Sequence, residues 1–184
     1  MKKKYRLILV SFILAINLFG CDLDKTQQPN NKILTYEEVD NFAMKNKIKR
    51  LNTEKKDNGY IITYEKETKY GIMKLYRDES SDEIRYIEES VDNSNHPDDI
   101  VYMQISDSKE NYIALFINNE DLRKRAEDIT VEFEDKGYTN EPYMISQTTN
   151  KQKATVISYE NYGSKREIKS IILRDKNNND IYTQ

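Results

Sequence analysis

The chain of 184 residues holds one cysteine, Cys21, and one histidine, His96, so any nucleophilic or metal chemistry has few places to reside. A Ser–His–Asp or Cys–His site needs a histidine base within reach of its nucleophile. His96 lies in VDNSNHPDDI, next to Pro97 and among turn-forming residues, and reads as part of a surface loop. The alternative is a cation site made by Asp92, Asn95, His96, Asp98 and Asp99, but the spacing is not that of a calcium loop. DKNNNDIY places Asp175, Asn177 and Asn179 at the first, third and fifth positions of such a loop. Asp180 then stands where glycine is needed, and the chain stops at Gln184 before the final glutamate, so a turn is expected there.

Adjacent carboxylates occur at Glu88-Glu89, Asp98-Asp99 and Glu120-Asp121, as expected of a chain with 32 acids. Paired-carboxylate hydrolysis depends on their separation in space. The sequence contains no glycine-rich phosphate loop, CxxC, HExxH or GxSxG. No catalytic residue, metal ligand or cofactor is therefore assigned.

Cys21 closes the segment MKKKYRLILVSFILAINLFGC. A basic start is followed by an apolar stretch from Leu7 to Phe19, a helix of about 20 Å at 1.5 Å per residue. A hydrocarbon core of about 30 Å takes roughly 20 residues, so the stretch suits a signal-peptide core better than a permanent span. Its lysines would stay on the cytoplasmic side.

LFGC resembles the lipobox of bacterial lipoproteins, with Leu18, Gly20 and Cys21 at the matching positions and Phe19 bulkier than the residue usual there. The resemblance covers residues 1–21 only. It implies cleavage between Gly20 and Cys21 and a thioether-linked diacylglycerol on Cys21, with acylation of the new amino group as a further step. Two or three acyl chains exceed what stable anchoring needs. The other readings of the segment are an uncleaved anchor and a buried helix of a cytosolic protein. The abundance of Lys, Asn and Ile suggests an AT-rich genome and a Gram-positive cell. In such a cell Asp22 carries no sorting meaning.

The first 20 residues hold four of the 29 bases and none of the acids, so the rest has 25 bases against 32 acids, a net charge of −7. That sign repels phosphates and argues against a nucleic-acid partner. It also discourages electrostatic adhesion to anionic lipid as the force that holds the protein at a membrane.

The expected organisation is a signal peptide over 1–20, a lipid-anchored tether over 21–32, and one α+β domain over 33–184. Thr35 and Glu38 form a capping-box pattern, with Leu34 and Val39 as a hydrophobic staple, for a helix from Tyr36 to about Lys47. The period then changes to two. Strand pairs are expected across Asp57-Asn58-Gly59, across ESSD and across DSKE. A second helix is expected from Asn119 to Lys136, with Leu122, Ala126, Ile129 and Phe133 on one face and Gly137 at its end. Its rival makes DITVEFED a strand, because Ile129, Val131 and Phe133 also alternate.

YIITYE at 60–65 is echoed by TVISYE at 155–160, LYRD at 75–78 by ILRD at 172–175, and DEI at 82–84 by NDI at 179–181. This suggests a weak tandem duplication of a helix plus about four antiparallel strands, in halves 33–99 and 118–184 with hairpin 100–117 between them. Chance similarity among strands is the competing explanation. Tyr60, Tyr64, Tyr70, Tyr76, Tyr86, Tyr102 and Tyr112 fall on expected strands as core or sheet-face residues, and an exposed subset would make a recognition surface.

These features suggest a lipid-anchored, extracytoplasmic binding protein without catalytic activity, of inhibitor, immunity, exclusion or envelope-assembly type, with a protein or peptide ligand. The alternatives are a carboxylate-dependent envelope hydrolase and an accessory lipoprotein of a transporter or membrane complex.

Overall fold

A computed structural model describes residues 33–95, 98–134, 143–160 and 166–184, all within one unit, Ile33–Gln184. Residues 1–32, Leu18, Gly20 and Cys21 among them, lie outside the described residues.

Helix α1 (Tyr36–Lys45) begins as its sequence signal requires. The Thr35 hydroxyl accepts from the Glu38 amide at 3.3 Å, and the Glu38 carboxylate accepts from the Thr35 amide at 2.9 Å. Each residue thereby satisfies an amide that the first turn leaves without a helical partner. Leu34 and Val39 are both buried in the core beneath α1, as a staple should be. The helix ends at Lys45, two residues before the expected Lys47, and is capped by Asn46, whose side-chain amide donates to the Phe42 carbonyl at 2.8 Å.

Four strands follow as a meander: β1 (Lys49–Lys56), β2 (Gly59–Lys66), β3 (Lys69–Arg77) and β4 (Ile84–Asp92). The β1–β2 loop is Asp57-Asn58, and Gly59 opens β2 opposite Lys56. A Cβ on Gly59 would lie 1.9 Å from the Leu75 carbonyl oxygen, so glycine there permits the close approach of β3. The hairpin across DSKE is also present, joining β5 (Ile100–Ser106) to β6 (Glu110–Ile117).

The expected helix over Asn119–Lys136 does not form. Helix α2 spans only Glu120–Arg125, capped by Asn119, whose side chain accepts from the Asp121 and Leu122 amides. The chain turns extended at Ala126 and enters strand β7 (Asp128–Phe133). Pairing with a strand on each side outweighs the helical period, and the β-branched run Ile129-Thr130-Val131 favours it. Leu122, Ala126, Ile129 and Phe133 still share one core, so the apolar positions were legible although the period was not. Gly137 lies outside the described residues.

The remaining strands are β8 (Met144–Thr148), β9 (Ala154–Glu160), β10 (Ile168–Arg174) and β11 (Asp180–Thr183). Three antiparallel sheets result, ordered β1-β2-β3-β4, β5-β6-β9 and β11-β10-β7-β8. With two helices of 10 and 6 residues, the described fold is β-rich, and the α+β expectation fits it only loosely. None of the described helices is long and apolar enough to cross a membrane.

The sequence echo survives only in part. β10 and β11 are neighbours, as β3 and β4 are. However, β9, the counterpart of β2, pairs with β6, and β10, the counterpart of β3, pairs with β7. The helix-plus-meander unit is therefore not repeated, because the β5–β6 hairpin offers β9 a different edge.

Three apolar cores stack these elements in layers. Val39 of α1 packs with Tyr60, Ile62, Tyr64, Met73 and Leu75 on one face of the first sheet. On its other face, Ile61, Tyr70 and Ile72 meet Tyr112, Ala114 and Phe116 of β6. Tyr70 stacks on Phe116 at 4.8 Å. Ile113, Leu115 and Ile117, alternate residues of the same strand, pack against β7 and β10 of the third sheet. The middle sheet is thus covered on both faces, which explains the unbroken run YIALFI in β6. Each such side chain contributes about 1.5–3 kcal/mol through burial.

Candidate functional site

In the run IMKL, β3 carries a lysine where its neighbours are apolar. Lys74 lies opposite Ile61 and Ile87 in the sheet and is 4% exposed. It follows Tyr70 and Ile72 on the face turned to the middle sheet, where its ammonium meets the Asp107 carboxylate of the β5–β6 turn.

Asp107 is held by that turn: its other oxygen accepts from the Lys109 and Glu110 amides at 2.6 and 2.8 Å. The Tyr112 hydroxyl lies 2.6 Å from Glu110 Oε2, 3.2 Å from Asp107 Oδ2 and 3.5 Å from Lys74 Nζ. Lys56 of β1 extends over the Tyr112 ring and donates to Ser158 of β9 at 3.3 Å. The group borders a cavity of about 130 Å³ between the β1–β2 and β5–β6 turns, with Asp57, Asn58 and Lys109 completing its wall.

The electrostatics follow from these contacts. Burial alone would raise the Asp107 carboxyl, but the Lys74 ammonium and the two turn amides outweigh it and hold the group below its ordinary range. Burial pushes the Tyr112 hydroxyl up, and the Glu110 and Asp107 carboxylates push it further. Tyr112 therefore stays a neutral donor, and Lys74 with Asp107 forms a fixed pair of opposite charges.

A second cleft opens on the α1 face of the first sheet. The ring of Tyr64 lies over Gly71, where a Cβ would come within 2.1 Å of its Cζ, and its hydroxyl donates to Glu88. Burial and then the Glu88 contacts raise the Tyr64 hydroxyl above its ordinary value. Lys66, Glu67, Lys69, Glu89 and Ser90 form the rim.

Of the residues singled out from the sequence, Tyr64, Glu88 and Glu89 line the second cleft, whereas the described members of the candidate cation site form no metal-holding group. His96 and Pro97, like the side chain of Asn95, lie outside the described residues. Asp92 accepts from the Ser94 amide and hydroxyl at 2.8 and 2.6 Å, whereas Asp99 accepts from the Asn119 side chain at 2.9 Å. Among the described residues no three His, Cys, Asp or Glu side chains are grouped to hold a metal.

Asp175 accepts from the Asn177 and Asn179 amides, and Asn178 takes a positive φ of 62°, so DKNNND is the expected turn between β10 and β11. Asp78 organises the β3–β4 turn in the same way, accepting from the Ser80 and Ser81 amides. Glu88 and Glu89 are successive on β4 and project from opposite faces. Glu120 pairs with Lys124 at 2.8 Å.

Of the tyrosines, Tyr60, Tyr64, Tyr70 and Tyr112 are buried, Tyr76 is half-buried, and Tyr86 and Tyr102 are exposed. The Lys74–Asp107–Tyr112 group escaped sequence reasoning, although a lysine between Met73 and Leu75 in a strand was its visible trace. Compared with known proteins, the chain matches no family model, no curated protein and no solved structure.

Proposed function

We propose that the chain is a lipid-anchored interaction protein on the extracytoplasmic face of a Gram-positive cell membrane, holding a protein or peptide ligand without turning it over. The lipobox-like LFGC supports the location, with Cys21 as the lipidated residue and Gly20–Cys21 as the cleavage point. One observation carries the binding role. At both clefts the chemically able groups are already engaged with one another, as Tyr64–Glu88, Lys74–Asp107 and Tyr112–Glu110, within rims of mixed charge. Rims of this kind supply complementarity and partner choice. Hydrolysis by paired carboxylates would need two free carboxylates facing each other across a cleft; Glu88 and Glu89 point to opposite faces of β4, and Asp107 and Glu110, which share the other cavity, are held by Lys74 and by the Tyr112 hydroxyl.

The test places a photo-crosslinking residue at Lys69, at Lys109 or, as a control, at exposed Lys124, in the full chain in intact cells. A discrete envelope adduct from a cleft position and none from Lys124 is expected. Equal labelling from all three positions contradicts the reading. So does cleavage of envelope glycan by the purified protein that Glu88→Gln abolishes.

A further inference from the structure

We infer that the flank of α1 bearing Tyr36 and Met44, with the basic stretch that follows it, rests on the anionic bilayer to which the chain is anchored. The inference builds on the proposed lipidation of Cys21 and adds an orientation to it. Six large apolar side chains are exposed among the described residues, and three of them fall within the first twelve: Ile33 at 54%, Tyr36 at 52% and Met44 at 69%. Tyr36 and Met44 are eight residues apart on a helix, which sets them on one flank about 12 Å apart.

Charge complements this apolar row. Residues 45–50 hold four bases and no acid, in a chain whose part beyond residue 20 has a net charge of −7. Lys45, Lys47 and Lys49 are exposed. Lys49 reaches Glu65 at 2.7 Å, whereas neither Lys45 nor Lys47 forms an ion pair among the described residues. Of the three acids on α1, Glu37 is exposed, Glu38 pairs with Arg77, and Asp40, between Tyr36 and Met44 on the same flank, pairs with Arg50, whose guanidinium also lies over the Tyr36 ring. Apolar and aromatic side chains beside lysines form the pattern that settles at a lipid headgroup boundary, with lysine stems buried and ammonium groups near phosphate.

The covalent path points the same way. Eleven residues separate Cys21 from Ile33, a reach of at most about 40 Å, and the described fold begins at Ile33, next to this flank in the chain. A stem of that reach attaches beside this flank and leaves it free to meet the surface. Residues 33–50 carry four bases against three acids, a local net charge of +1 where the part beyond residue 20 has −7.

The experiment uses the full chain purified from membranes with its anchor. A fluorophore is carried on Met44→Cys or, in the third sheet, on Lys176→Cys in the β10–β11 turn. The protein is reconstituted into vesicles of equal parts phosphatidylglycerol and phosphatidylcholine that contain a headgroup quencher. Quenching at 44 is expected to exceed that at 176 by about threefold or more, and to fall to the control level in K45E/K47E and in pure phosphatidylcholine. Equal quenching at the two positions while the protein floats with the vesicles overturns the orientation and leaves the anchor standing. A protein that does not float with the vesicles overturns the anchor and the orientation with it.

Discussion

Asp107→Asn should be among the most damaging single changes in this fold, and clearly worse than Lys74→Met. The Lys74 and Asp107 side chains are 5% and 11% exposed, so neither can exchange its partner freely for water. In Asp107→Asn the amide oxygen stays with the Lys109 and Glu110 amides and the new NH2 faces the Lys74 ammonium, so a buried charge loses its partner at a cost of about 3–5 kcal/mol. Lys74→Met leaves a carboxylate that still accepts from the Lys109 and Glu110 amides, so about 1–2 kcal/mol is expected. The double variant should cost less than the sum, with a coupling of about 2 kcal/mol. Urea unfolding at neutral pH, followed by far-ultraviolet circular dichroism, reads all three. Against a total stability of about 5–15 kcal/mol, the first loss is unmistakable. An Asp107→Asn cost below about 1 kcal/mol, or strict additivity in the double variant, would refute the argument.

Gly71→Ala drives a Cβ into the ring of buried Tyr64, and a cost of about 1–3 kcal/mol in thermal unfolding is expected, together with a shifted Tyr64 ring resonance in NMR. Thr35→Ala removes one half of the capping box and should cost about 1 kcal/mol by urea unfolding. Glu38 sits at about 2 rather than 4.5, held down by the Thr35 amide and then by Arg77. Its folded value is below its unfolded one, so its contribution is present above pH 4.5 and is lost as pH falls toward 2. Glu38→Gln should flatten the part of the acid-stability profile that lies in that window.

Local signals in this sequence were read well wherever a side chain and its backbone partner are neighbours in the chain. The Thr35–Glu38 cap, the Asp175 turn and the DSKE hairpin are of this kind, because each is settled within a few residues. Ile129-Thr130-Val131 was harder, since both periods fit its apolar residues, and its partners Ile171 to Leu173 on β10, far along the chain, decide between them. The repeat failed for a related reason: β9 resembles β2, yet its place depends on the free edge of β6, which similarity to β2 does not encode. Lys74 and Asp107 are far apart in sequence and ordinary one at a time, and their role exists only once two sheets face each other.

The most direct test of the proposed location and anchoring is the intact mass of the protein extracted from cell membranes. The expected result is a chain beginning at Cys21, heavier than its sequence by a thioether-linked diacylglycerol, and a Cys21→Ala variant that lacks this addition and leaves the membrane fraction or keeps residues 1–20. A native protein with an unmodified Cys21 thiol, or one that retains residues 1–20 in the membrane, would contradict it.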